Sequence, residues 1–322
     1  MLTVVLVATS LLIGAPAASI GPYGPVGPKT IAVDGDPSEW TGAVPGANSG
    51  AAASGEFVWN DTAGDDTGDS DYTYPRAGDL NRSGLFDIRQ IRITADSANL
   101  YVLVTLANLS NPWGGSDGFS TVAAVLLIDT TLDGSGQLTA RPNVNITSGR
   151  GWEYYAKIGQ TGWQAESAKV YDAAGKWAPI QNKANAAYNA IEVSIPLSFI
   201  GKDGYDIDLA TWGFMFFLQS HDGFQADGFR DVRGARWCCD WEFGGGTDGP
   251  YDPKVMDLGF STAGGTGGGI GQLHLFRAGG DDVLRHGHVR VDRVHPGRDA
   301  ASDPVPCIRA DVQPSRNHLD HG

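Results

Sequence analysis

Apolar residues along most of this chain either alternate with polar ones or gather in short runs, and the period is that of strands. Ile88, Ile91 and Ile93 open one strand. Leu100-Tyr101-Val102-Leu103-Val104-Thr105-Leu106 is the clearest, built from β-branched, aromatic and leucine side chains without a breaker. Val122–Ile128 and Trp152–Ile158 follow. Ala190–Ile195 alternates, which puts Glu192 outward as a solvated carboxylate, and Pro196 closes it. Trp212–Leu218 is apolar throughout, as expected of a central strand covered on both faces. Near the start, Ile31 and Val33 predict a short strand ahead of an Asp34-Gly35-Asp36-Pro37 turn, and the Gly/Ala/Ser-rich residues 42–55 predict a loop. Helical patterning is scarce: Pro196–Ile200 fits one turn, and Glu166–Ala174 is ambiguous. Short strands at fairly even spacing, joined by turn residues, predict an all-β protein, an antiparallel β-sandwich.

The flanks read differently. Leu2–Ile13 is apolar and small residues follow through Ala18, the pattern of a secretory signal peptide over residues 1–18. A run of about a dozen residues is short of the ~20 that a membrane-spanning helix needs. A short buried strand or helix is the competing reading, and the missing positive charges leave the true start open. Residues 19–29, rich in Gly and Pro, form an extended linker, and the domain itself is expected over 30–262. From Gly268 on there is no Lys, Trp, Tyr or Glu, yet six of the seven His lie there. Residues 263–322 are therefore set apart as a tail, either disordered or read in a shifted frame. Within it, Arg285-His286-Gly287-His288 lacks the acidic or Cys partner that a metal site requires.

Composition narrows the function. Gly is 45 of 322 residues, about twice the usual ~7% share, which suits strands joined by glycine turns. The net charge of −14 argues against a nucleic-acid partner and against electrostatic binding to anionic membranes. Three cysteines, the adjacent Cys238 and Cys239 and the remote Cys307, make neither a disulfide framework nor a zinc site. Glutamates are few, and no Gly-x-Ser-x-Gly elbow, His-Glu-x-x-His or phosphate loop occurs, so no enzyme activity is expected.

One stretch concentrates chemistry. Asp61, Asp65, Asp66, Asp69 and Asp71 fall within eleven residues, punctuated by Gly64 and Gly68 and followed by Tyr72-Thr73-Tyr74-Pro75. Carboxylates this close repel one another unless they are solvated or share a cation. Hard oxygen donors on a loop that can turn sharply suit Ca2+, which accepts six to eight oxygens at flexible geometry. A solvated acidic loop is the competing reading. A second acidic stretch, Asp129-x-Thr131-x-Asp133-Gly134, starts like an EF-hand loop but carries Ala140 where the bidentate Glu belongs, and reads as a strand-end turn.

Gly64-Asp65-Asp66-x-Gly68, Tyr72-Thr73-Tyr74-Pro75 and Phe86-Asp87-Ile88 together resemble the opening of the glucodextranase C-terminal domain family, a DOMON-like β-sandwich of the immunoglobulin-like or jelly-roll type. Asn108-Leu109-x-Asn111-Pro112-Trp113 with Asp117-Gly118-Phe119-Ser120 resembles its second block. Trp241-x-Phe243-Gly244-Gly245-Gly246-Thr247-Asp248-Gly249-Pro250 with Pro253–Leu258 resembles its closing block. The resemblance implies a non-catalytic, carbohydrate-associated module of secreted or cell-surface proteins, with a polysaccharide or surface glycan as partner and an associated glycoside hydrolase in some cases. It carries over Asp65, Asp66 and Asp87 as matching positions for a structural Ca2+; Asp61 joins them by proximity. Of the nine tryptophans, Trp163, Trp177 and Trp237 stand among polar or glycine-rich neighbours and are the candidates to stack on sugars, whereas Trp212 belongs to the core. Trp113 and Trp241, in the family blocks, fit either binding or anchoring.

Two rival readings come from other classes. A cell-surface or surface-layer scaffold would share the fold without a sugar site. A haem-binding electron carrier of the DOMON type would need Met215 and His221 as axial ligands, although a methionine in an apolar run is usually core. Asn60, Asn81, Asn108 and Asn145 begin N-glycosylation sequons, relevant only where the source glycosylates.

Overall fold

The computed structural model describes residues 26–68, 72–131, 133, 135–140, 144–145, 151–159, 168–201, 209, 212–233, 240–245 and 254–260, and two strands beyond them, Ile270–His274 and Gly287–Val289. The strands in chain order are β1 (Ser49–Ala53), β2 (Glu56–Asn60), β3 (Ile88–Ala95), β4 (Asn99–Leu106), β5 (Val122–Asp129), β6 (Thr139–Ala140), β7 (Val144–Asn145) and β8 (Tyr154–Ile158). They continue with β9 (Lys169–Asp172), β10 (Trp177–Pro179), β11 (Gln181–Asn185), β12 (Ala190–Pro196), β13 (Gly213–Ser220), β14 (Asp257–Gly259), β15 (Ile270–His274) and β16 (Gly287–Val289).

Two antiparallel sheets hold all but the small β6–β7 hairpin. The first runs β1-β2-β3-β4-β12-β11; the second runs β10-β9-β8-β5-β13-β15-β16, with β14 also paired to β13. Every second side chain of each central strand enters one shared core. Ile91 and Ile93 of β3, Val102 and Val104 of β4, and Ile191, Val193 and Ile195 of β12 meet Leu126 and Ile128 of β5 and Phe214, Phe216 and Leu218 of β13. The protein is thus the expected all-β sandwich. The apolar run that starts at Trp212 is its central strand, buried from end to end.

Both outer faces are also partly covered. Over the second sheet, Val144, Trp152, Phe229 and Val255 pack on Val125, Leu127, Met215 and Phe217. Met215 is enclosed in this apolar cluster. Over the first sheet, Ile31 and Trp40 pack on Tyr101, Leu103 and Ala190. This N-terminal cover changes three expectations. Ile31 and Val33 do not form a strand; their segment lies extended against the sheet and leads into a 3₁₀ turn, Pro37–Glu39, capped by the Asp36 side chain. Glu192 is not solvated but 0% exposed, because the cover supplies donors to it: Trp40 Nε1 at 2.9 Å, Gly35 N at 2.8 Å and Asp34 N at 3.0 Å. Residues 42–55 are not all loop, since they contain β1. Ser54 and Gly55, at φ 54° and 77°, turn the chain as type I′ hairpins require, and β1 pairs along β2. A side chain at Gly50 would meet the Phe57 ring at 2.4 Å, so the poor strand former there is the residue that fits.

The N-terminal cover is tied down by a buried ion cluster. Glu56 accepts from Arg92 Nη1 at 2.8 Å, from Thr41 N at 2.7 Å and from Lys29. Arg92 Nη1 also donates to the carbonyls of Trp40 and Gly42. The Gly/Pro-rich lead-in reaches the sheet as well, through Gly27 N on Gly55 O and Lys29 N on Ala95 O. Beyond residue 268, where the sequence shows no strand period, β15 pairs with the start of β13 and β16 pairs with β15.

Candidate functional site

The end of the sandwich where β3 and β5 begin and β2, β4 and β13 end carries the acidic stretch. Two positive-φ glycines shape it, Gly64 at 78° and Gly68 at 58°. A Cβ at Gly68 would lie 1.9 Å from the Tyr72 ring and 2.7 Å from Val255 O, so only glycine fits. Gly68 N donates to Met256 O, which lays the loop against the chain entering β14. Carboxylate oxygens of Asp65, Asp87 and Asp257 then come within 4.8 Å of one another.

Asp61 joins them electrically. It is 5% exposed, and its Oδ1 accepts from Trp59 Nε1 at 3.0 Å. Its Oδ2 is buried without a hydrogen-bond partner, as is Oδ1 of Asp87, itself 2% exposed. Burial pushes the Asp61 carboxyl up to about 8; the Trp59 bond opposes this, and repulsion from Asp65 and Asp87 adds to it. Asp87 is pushed up to about 6 by burial, against the pull of Gly64 N at 3.0 Å and Arg89 at 2.8 Å. Asp257, wholly enclosed, is raised well above the usual carboxylate range by burial and by Asp61 and Asp65. These groups are too close and too dry to be ionised together without positive charge among them.

The sequence-derived set is therefore only partly gathered. Asp65 and Asp87 meet, and Asp61 lies close enough to couple with both. Asp66 is not one of the three converging carboxylates, although its charge still bears on Asp87; its Oδ2 accepts from the Tyr74 hydroxyl, which is itself raised by burial and by that carboxylate. Asp257 was not among the expected ligands. The one signal for it was its place in the closing block of the resemblance, since 170 residues of chain separate it from Asp87. Asp69 and Asp71 lie outside the described residues. The EF-hand-like stretch is a strand-end turn: Asp129 closes β5, and its Oδ1 accepts from Thr131 N.

Among the candidate aromatics, Trp163 and Trp237 lie outside the described residues, as do the cysteines and residues 1–25. Trp177 sits on β10, the edge of the second sheet, and is 52% exposed. It is registered with Tyr171 of β9, which is registered with Tyr155 of β8. Partners in register point to one face, so the three form a cross-strand row. Tyr155 and Tyr171 are stacked, 4.6 Å apart at 7°. Trp152 meets Tyr155 edge-on at 5.2 Å, and Lys169 Nζ lies 4.4 Å over the Trp177 ring. The row starts beside the covered part of the sheet and runs outward to the exposed edge. Polar and glycine-rich neighbours marked Trp177 in the sequence; the two tyrosines beside it needed the register.

His221 follows β13 and is buried, with burial lowering its imidazole to about 4, so it is neutral at pH 7. Its backbone bridges Phe229, and its carbonyl accepts from Arg230 Nη2 at 2.8 Å.

Residues 57–265 match the family described as the C-terminal binding module, SLH-like, of glucodextranase. The chain belongs to that family. No curated protein sequence matches the chain. Described residues of the three stretches that carry the resemblance, distant in sequence, meet at the acidic end of the sandwich, Trp113 against Trp241 among them. Tyr74 and Phe86 of the first block pack on Phe243 of the third at 6.0 and 5.3 Å, and Thr73 bridges Gly244. A binding module of this type points to a glycan partner and to an extracellular or cell-surface setting. Among the described residues, no helix is long and apolar enough to cross a membrane.

Proposed function

We propose that this chain is a secreted, non-catalytic carbohydrate-binding module whose acidic loop holds one structural Ca2+. The observation that carries the binding role is the row Tyr155–Tyr171–Trp177. Strands lie about 4.8 Å apart. At that spacing Tyr155 and Tyr171 stack on each other and stiffen the row, and the open face of the exposed Trp177 ring at its end is the surface that can stack on the apolar face of a sugar. Lys169 braces the outermost ring through a cation–π contact. A rigid row loses little freedom on binding, which favours affinity. The module serves its parent or partner enzyme, a glycoside hydrolase, by holding it near its polysaccharide.

Support for Ca2+ comes from the donor set. Asp61, Asp65, Asp87 and Asp257 offer only hard oxygens, and buried oxygens of Asp61 and Asp87 lack partners. A divalent cation would supply the missing positive charge and tie the 61–68 loop to β14. It would act on structure and take no part in chemistry. The SLH-like description of the family favours a second reading, in which the glycan belongs to the cell surface and the module is an attachment device.

Affinity electrophoresis of the intact protein in gels containing dextran, pullulan, barley β-glucan or polygalacturonate tests the binding role. Retardation in at least one gel is expected, with Trp177→Ala binding about tenfold more weakly, the loss typical of an aromatic anchor. Unretarded migration in every gel and in gels of cell-surface glycan would refute both readings.

A further inference from the structure

Trp241 shows 46% of its surface to solvent although it neighbours the buried Phe243. Its ring lies 6.3 Å from that of Trp113, at 49°, and the Arg230 guanidinium lies 5.7 Å from both ring centroids. Arg230 is buried, and each of its three nitrogens donates a hydrogen bond. Nε donates to Ser220 Oγ at 3.2 Å, Nη1 to Asp222 at 3.1 Å and Nη2 to the carbonyl of His221 at 2.8 Å. The cation is thus held by its donors while it lies over both indole rings. Trp113 is fixed further by Nε1 on Asp79 Oδ2 at 3.3 Å. The turn carrying Trp241 is held by Ala77 N on the carbonyl of Asp240 and by Arg76 on the Asp240 carboxylate at 2.7 Å. Three chain segments, around 76–79, 113 and 240–241, therefore collaborate to immobilise an exposed indole face.

An indole that is both exposed and immobilised is costly to leave in water and inexpensive to stack against. The charges around it pair off internally, Arg76 with Asp240 and Arg230 with Asp222. The half-buried Asp79 carboxylate, which accepts from Trp113 Nε1, keeps further acceptor capacity at the rim for hydroxyl groups and, as an anion, repels anions. We infer that Trp241 and Trp113 over Arg230, rimmed by Asp79, form a second glycan-contact site that takes a neutral pyranose and rejects uronates and sulfated sugars. The inference rests on the proposed glycan-binding role but shares no residue with the sheet-face row. Two separated sites let one module hold two points of a polymer, which raises avidity without any new contact.

The test uses the intact protein and its Trp241→Ala, Trp241→Phe and Trp177→Ala variants, each checked for unchanged thermal unfolding, in the same glucan and polygalacturonate gels. Trp241→Ala is expected to weaken binding to a neutral glucan about tenfold. Trp241→Phe, which keeps a ring, restores part of it, and polygalacturonate retards none of the proteins. If Trp177→Ala loses binding while Trp241→Ala matches the native protein, the second site is wrong and the binding module stands. If Trp241→Ala loses binding and Trp177→Ala does not, the second site stands and the sheet-face row falls. Native protein that no neutral glucan retards would overturn the second site, and binding that prefers polygalacturonate would overturn its neutral specificity.

Discussion

Asp61 is the residue at which burial and charge conflict most sharply. Its carboxyl, raised to about 8, is largely protonated at neutral pH when no cation is present. The folded state then holds a proton that the unfolded chain, with its ordinary carboxylate, has released, so stability falls as pH rises through the window. Asp87, raised to about 6, acts in the same sense lower down. His221, lowered to about 4 from 6.5, acts in the opposite sense below 6.5, since the unfolded state there binds the extra proton. Between about pH 6.5 and 8, among the described groups with a shifted pKa, the raised carboxylates set the sign. The melting temperature of EDTA-treated protein should fall across that interval, and Asp61→Asn should flatten the slope; a melting temperature that rises with pH would contradict it. Because Trp59 donates to Asp61, Tb3+ in the site should luminesce on indole excitation, and Asp87→Asn should abolish the signal. Emission of equal strength from that variant would move the ion elsewhere. In the sequence, density along the chain exposed Asp61 and Asp65, and the family resemblance supplied Asp87. Asp257 was hidden because strand pairing, not proximity in sequence, delivers it, and nothing in the acidic run shows that one carboxylate oxygen of Asp66 accepts from Tyr74.

At the scale of elements, the strands with strong patterns are the ones the sequence predicts, β4, β5, β12 and β13 above all. What it misses is covered surface. Residues 31–40 cross the outer face of the first sheet, so a position that alternation marks as solvent is dry. Nothing local in Ala190–Ile195 reveals that Trp40, 152 residues away, will donate to Glu192. Glu192→Ala would leave the Trp40 indole N–H and the backbone N–H groups of Asp34 and Gly35 without their acceptor. It is expected to destabilise the fold by about 3 kcal/mol in denaturant unfolding, as loss of a buried acceptor does. A change within about 0.5 kcal/mol, typical of a surface carboxylate, would mean that the cover is not docked. Strand β1 was equally illegible, because Gly and Ala have little strand propensity of their own; the positive-φ turn at Ser54-Gly55 and the space left by Phe57 make the hairpin. Gly68→Ala should unfold at lower temperature than the native protein, since both its φ and the Tyr72 contact exclude a side chain. Native-like melting of that variant would contradict the loop geometry.

Across the whole molecule, the acidic loop and the Trp241 platform share one end of the sandwich, joined by packed aromatic side chains: Asp66 holds Tyr74, and Tyr74 packs on Phe243, two residues from Trp241. The sheet-face row lies elsewhere, on β8–β10. The claim on which this arrangement depends is that the loop end is closed by an ion rather than left as a cluster of protonated carboxyls. Thermal unfolding of the intact protein at pH 7.5, with EDTA, with Ca2+ and with Ca2+ on Asp87→Asn, tests it most directly. Ca2+ at 100 times its Kd should stabilise the native protein by about 2.7 kcal/mol and leave the variant unmoved. Superimposable curves for the native protein in EDTA and in Ca2+ would contradict it.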